Sequence, residues 1–130
     1  MKQLDIDNWY KCKIDKKVYK QLTKRSDYQG LKHVFTWLFF LFLSGYLACI
    51  SWGTWWAVPA FLIYGNIFMA CNPVWHECGH RTAFKTRWLN ELFYHVGSFM
   101  YNFEPIRWRW SHFHHHSYTL HTDPYDYEVQ

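Results

Sequence analysis

Residues 34–75 contain no Asp, Glu, Lys or Arg, a run of 42 residues between a lysine-rich start and a histidine. A single helix of that length would extend roughly 63 Å at 1.5 Å per residue. That is about twice the hydrocarbon thickness of a bilayer. The run therefore predicts two membrane spans, residues 34–51 and 55–72, joined by Ser51-Trp52-Gly53-Thr54 with Gly53 as the breaker. Trp52, Trp55 and Trp56 cluster at this turn and Trp75 lies near the other end, the placement expected of an interfacial aromatic belt. The mean hydropathy of -0.33 does not oppose this, because it averages a polar start and nine His with two very apolar stretches. The competing fold is a hairpin buried in a soluble protein, and a chain this short has little else to cover one.

Charge sets the expected orientation. Residues 1–33 hold nine of the fourteen Lys and Arg, and the loop between the spans holds none. The positive-inside rule puts the N-terminus in the cytosol and returns the chain there near residue 73. No cleavable signal peptide is expected, since the first apolar run starts too late. Asp5, Asp7, Asp15 and Asp27 interrupt the lysines. The start therefore reads as a solvated cytosolic segment, and no nucleic-acid binding is expected. Cys12, Cys49, Cys71 and Cys78 show no paired spacing and are expected to be free thiols. Residues 92–103 are apolar and uncharged but too short to span, so they are expected to lie in the interface or dip in and return. Everything from His76 to His116 would then lie on one face of the membrane.

Two histidine clusters follow. The first is His76-Glu77-Cys78-Gly79-His80, where the second span ends. Asn72-Pro73 before it suits an N-cap and a first helical position, so the span is expected to break and restart there. His76 and His80 are four apart and share a helix face. Alone, such a pair could equally be two polar residues at a helix end. The second cluster is Trp110-Ser111-His112-Phe113-His114-His115-His116. On a helix His112, His115 and His116 share a face and His114 points away. Residues 112–121 hold five of the nine His, a composition that signals metal binding. A surface tract is the bland reading, but the run is internal and interrupted, unlike a terminal tag. Ionisable groups at or near membrane depth are functional candidates by default.

His76-x-x-x-His80 followed by His112-x-x-His115-His116 resembles the first two histidine boxes of the membrane fatty acid desaturases and related hydroxylases. The flanking His-Glu-Cys-Gly-His, Ser117 and Thr119, and the position of the first box after the second span, fit as well. The resemblance covers about residues 34–124. It implies that His76, His80, His112, His115 and His116 are ligands of two non-haem iron ions on the cytosolic side. It further implies O2-dependent attack on an unactivated C–H bond of a fatty acyl chain, with electrons from a ferredoxin or a cytochrome b5-like donor. The family carries a third HxxHH box after two further spans, and the chain reaches Gln130 with neither. The expectation is therefore an N-terminal fragment, inactive alone.

The resulting fold class is an all-α integral membrane, multi-pass protein. A two-span transmembrane hairpin is followed by cytosolic or interfacial helices carrying histidine boxes. Residues 1–33 form the cytosolic start, 34–72 the hairpin and 73–130 a partial catalytic region. Arg81, Lys85, Arg87, Arg107 and Arg109 are expected either to anchor at headgroups or to dock an acidic donor. Glu77 could orient an imidazole or be solvated, and His33, His95 and His121 are left unassigned. Residues 76–80 also match HExxH, so an intramembrane zinc metalloprotease is the alternative, with Glu77 as its base. Gly79 speaks against a helix built for that role. A hydroxylase of the same superfamily is a further alternative, and a metal-transporter segment would lack polar residues in its spans beyond Asn66.

Overall fold

A computed structural model of the chain describes residues 12–117, and among these every regular element is an α-helix. Helix α1 spans Lys16–Leu22, and its first turn is capped by Asp15, which accepts the N–H groups of Lys17 and Val18 at 2.9 and 3.1 Å. Helix α2 spans Asp27–Ile50 and starts seven residues before the charge-free run. Ser26 Oγ accepts the Gln29 N–H there, so the cap rather than the hydropathy sets the start. Residues 51–56 form the turn, with Gly53 at a φ of 81°, which suits glycine. Helix α3 (Ala57–Met69) then runs back along α2. Trp37 on α2 donates its indole N–H to the Ile67 carbonyl of α3 at 2.9 Å.

After one residue, Ala70, the chain continues as α4 (Cys71–Gly79). The break predicted here exists, but its chemistry differs. Asn72 does not cap the new helix; its amide donates to the Tyr101 hydroxyl at 3.1 Å. Pro73 falls in the first turn of α4, where a missing N–H removes no helical bond. Two stretches, Lys16–Ile50 and Ala57–Gly79, are long and apolar enough to cross a membrane. Their outer faces carry exposed Phe35, Phe39, Phe42, Ile50, Leu62 and Ile63.

Helix α5 (Arg87–Tyr101) packs on α4, and α6 (Pro105–Ser117) returns over both. At 15 residues, α5 is only about 22 Å long, too short to span, as its composition implied. Trp75 organises the contact. Its ring lies nearly parallel to those of Tyr94, Tyr101 and Phe103, and its indole N–H donates to Ser98 Oγ at 2.8 Å. Gly97 makes the approach possible, since a Cβ there would lie 2.6 Å from Trp75 Cβ. The α4–α5 connection is tied to the start of α2, where the Asp27 carboxylate accepts the Thr86 N–H at 2.8 Å and the Thr86 hydroxyl at 2.7 Å. Phe84 is fully buried in that connection, and Asn90 bonds both its N–H and its carbonyl.

Gly97→Ala is expected to lower the unfolding midpoint in detergent micelles, with a cost of roughly 1–3 kcal/mol from overpacking against Trp75. Gly65, where a Cβ would meet nothing within 4 Å, is the control. Gly65→Ala should leave the midpoint unchanged or raise it, by up to about 1 kcal/mol of helix propensity. Equal midpoints for the two variants by circular dichroism would show that the α4–α5 approach is not tight.

Candidate metal centre

Helix α4 ends with His76 one turn before His80, and α6 presents His112 one turn before His116. The two turns face each other. His112 Nε2 lies 2.8 Å from His76 Nε2, 3.1 Å from His80 Nε2 and 3.0 Å from His116 Nε2. One ligating nitrogen from each of the four residues can be chosen so that all lie within 4.8 Å of one another. His112 is buried and His116 exposed.

This arrangement is poor as a hydrogen-bond network. A neutral imidazole nitrogen either donates one proton or offers one in-plane lone pair. His112 Nε2 can therefore satisfy one of its three neighbours, and the other two meet it lone pair to lone pair or proton to proton. A cation among them removes the conflict. With imidazole–metal bonds of about 2.0–2.1 Å, ligands at right angles sit about 2.9 Å apart, which matches the three separations. Protonation state agrees. Burial first, then the like charge that His76, His112 and His116 would carry, lowers the His80 pKa, so its neutral, ligating form is favoured.

Of the five histidines nominated from sequence, four converge. His115 stands beside the group, its ring stacked 5.7 Å from that of His112 and outside the four-nitrogen cluster. Thr119 and His121 lie outside the described residues, and Ser117 closes α6. The Glu77 carboxylate accepts the Thr82 hydroxyl at 2.6 Å and stays 3.9 Å from His76 Nδ1, too far to orient that ring by a hydrogen bond. Gly79 ends α4 against α6, where a Cβ would meet Trp108 at 3.0 Å. A cavity of about 810 Å3 opens beside the cluster, lined also by Trp108, Trp110 and Phe113.

Two supporting features were not foreseen. Trp108 stacks almost parallel on His112, with ring centres 4.4 Å apart, and rests on Trp75 at 4.0 Å. Its spacing of four from His112 was the available signal. Glu91 on α5 accepts from Arg81 Nε at 2.8 Å and from Arg109 Nη1 at 3.0 Å. Burial alone would raise the Glu91 pKa, but the two guanidinium bonds outweigh it and hold the carboxyl below its usual range. Two of the five basic residues expected to anchor at headgroups or dock a donor instead pair with Glu91, and Lys85, Arg87 and Arg107 stay exposed.

A helical chain with two apolar stretches long enough to cross a membrane and four converging imidazoles at the end of one of them has the form of a histidine-box protein. The sequence pattern of the fatty acid desaturase family matches residues 53–130, and the chain belongs to that family. It is 37% identical over 76 residues to the sn-1 oleoyl-lipid 12-desaturase of a Synechocystis sp. strain, covering 58% of this chain and 21% of that protein. It is 37% identical over 71 residues to the sn-1 acyl-lipid omega-3 desaturase (ferredoxin) of a Nostoc sp. strain, covering 54% and 20%. With the sn-1 oleoyl-lipid 12-desaturase of Anabaena variabilis it shares 33% over 66 residues, or 50% and 19%. The chain thus spans about a fifth of the length of these relatives. No solved structure matches. The protease alternative is not favoured, since the family is one of desaturases.

Replacing His112, the nitrogen common to all three short contacts, should weaken Co2+ binding by at least about 100-fold, more than an outer supporting residue costs. His95→Ala, in a histidine outside the cluster, should leave the affinity within about threefold of the parent. A Co2+ titration followed by visible absorption checks both, and a His112→Ala chain that binds normally would remove the cluster as the site.

Proposed function

We propose that this chain supplies the first two histidine boxes of a membrane acyl-lipid desaturase. The observation that carries the reading is the convergence of His76, His80, His112 and His116 Nε2 atoms around a geometry that hydrogen bonds alone do not satisfy. These four, with His115 as a fifth nitrogen beside them, hold non-haem iron in this reading, and two ions make up the site. The iron pair supplies O2-dependent removal of hydrogen from an unactivated C–H bond. The reaction is desaturation of a fatty acyl chain rather than hydroxylation, in keeping with the relatives' names.

The protein residues position and shield. The cavity volume of about 810 Å3 lies in the range that suits a small ligand or a length of acyl chain. Trp108, Trp110 and Phe113 give it apolar walls that exclude water from the reacting carbon. Trp108 holds the His112 ring in one plane. Residues 34–72 are the membrane hairpin, residues 1–33 a cytosolic start, and residues 73–130 part of the catalytic face on the cytosolic side. The excess of Lys and Arg in residues 1–33 supports that orientation. Electrons come from a ferredoxin or cytochrome b5-like donor. The name of the Nostoc relative, which includes ferredoxin, favours the first. Lys85, Arg87 and Arg107 offer such an acidic donor a basic approach.

The test is expression of the complete gene product that carries these two boxes, in membranes of a host lacking the corresponding desaturase, with reduced ferredoxin and O2. Gas chromatography with mass detection should show a new double bond in the membrane acyl lipids, dependent on O2 and lost in His112→Ala. Accumulation of a hydroxylated acyl chain instead would move the reading to the hydroxylases. No O2-dependent product from an iron-loaded preparation would sink it.

A further inference from the structure

The two boxes lie on different helices, and His76 and His112 are 36 residues apart in the chain. Something must hold α6 at a fixed distance and rotation from α4, because ligands need placing to within about 0.5 Å. At the start of α6 the links are the Tyr94 hydroxyl donating to the Pro105 carbonyl and the Trp108 ring resting on Trp75. Nearest the cluster, the link is Arg109, three residues before His112 and so on the same side of α6.

Arg109 is held at one carboxylate oxygen of Glu91, and the other oxygen holds Arg81, the residue that directly follows His80. One side chain on α5 therefore grips an arginine beside each box. Local costs accumulate around that grip. Arg81 occupies a left-handed conformation, φ 60°, at the end of α4. The Arg81 N–H bonds Cys78 O at 2.9 Å and the Thr82 N–H bonds Glu77 O at 3.0 Å, the helix-ending arrangement in which glycine is preferred. A side chain there is strained where glycine would not be. Arg109 has Nε and Nη2 buried without a hydrogen-bond partner among the described residues, its guanidinium lying 4.1 Å over the Tyr94 ring. A strained arginine and an under-bonded one meet at the same carboxylate.

We propose that Glu91 is the positioning residue that sets the two histidine boxes at metal-binding distance, by clamping Arg81 beside the first and Arg109 beside the second. The inference rests on the metal-site reading above. Asp at this position would be one methylene short, and Gln would keep the shape while losing the charge that draws both guanidinium groups in.

The experiment titrates Co2+ into the full chain in detergent micelles and records affinity, the visible ligand-field band and the metal-free unfolding midpoint. Glu91→Gln should weaken binding about 10-fold or more and alter the band, with the metal-free midpoint close to that of the parent. Arg81→Gly separates positioning from folding. It removes the backbone strain, so the midpoint should hold or rise, while the clamp is lost and Co2+ binding should fall as in Glu91→Gln. Parent-like affinity and band shape in both variants, with binding lost in His112→Ala, would overturn the clamp and leave the metal site standing. Affinity that merely follows a falling midpoint would also overturn it, since Glu91 would then be a fold residue only. A parent chain that fails to bind Co2+ would overturn the metal-site reading and the clamp with it.

Discussion

A ligand-bearing helix at the end of an apolar stretch must be fixed by packing, and Trp75 is the largest side chain that α4 buries. Its ring is buried among Tyr94, Tyr101, Phe103 and Trp108, and its one polar atom is satisfied by Ser98. Large aromatic rings bury much area for few rotamers, so this packing is stiff as well as favourable. The position matters as much as the chemistry. Trp75 directly precedes His76, and the ring that rests on it, Trp108, stacks on His112. A single column of rings thus runs from the α4–α5 core to an imidazole of each box. Gly97 and Gly79 are the small residues that let the backbones close on that column.

The second consequence is electrostatic. Bringing four imidazoles to contact distance works only if they are neutral or share a cation. Burial favours the neutral form of His80, against the smaller opposing pull of the Glu77 charge. Glu77 is engaged by Thr82, and Glu91 is neutralised by two arginines. The carboxylates nearest the cluster are thus spent on holding backbone and helices in place, leaving a set of nitrogen donors of one chemical kind. That division of labour suits a site whose ligands must be fixed before any ion arrives.

Much of this was legible in the sequence, and the limits have physical causes. The hairpin follows from the absence of charge over residues 34–75, and Gly53 marked its turn. The intervals four between His76 and His80 and four between His112 and His116 fixed which rings share a face. What periodicity cannot give is the rotation of one helix against another. That is why His115, equally eligible by spacing, stands to the side while His112 and His116 meet the first box. Helix α2 begins seven residues before the charge-free run because a serine cap, not hydropathy, sets its start. Asn72 was misassigned because its amide has a tertiary partner, Tyr101, 29 residues away. Glu91 was overlooked because its role depends on two residues at distances of ten and eighteen along the chain. Its signal in the sequence is that of a lone acid in a basic stretch, which needs a cation to balance it.

The outward faces of the last two helices bear on where the site sits. Trp88, Leu92, Val96 and Phe99 form an exposed stripe on α5, and Ile106, Trp110 and Phe113 form another on α6. Water would be a poor solvent for so much contiguous apolar surface, and a span is excluded by the length of α5. In the proposed reading, a helix of this length with an apolar stripe satisfies both constraints by lying along the interface, stripe toward the acyl chains. The apolar walls Trp110 and Phe113 belong both to the α6 stripe and to the cavity beside the four imidazoles. In the proposed reading, the surface that rests on the lipid is therefore continuous with the surface that lines the site. An acyl chain could move from one to the other without crossing water, which is the requirement a substrate of that kind imposes on any enzyme that takes it from a membrane.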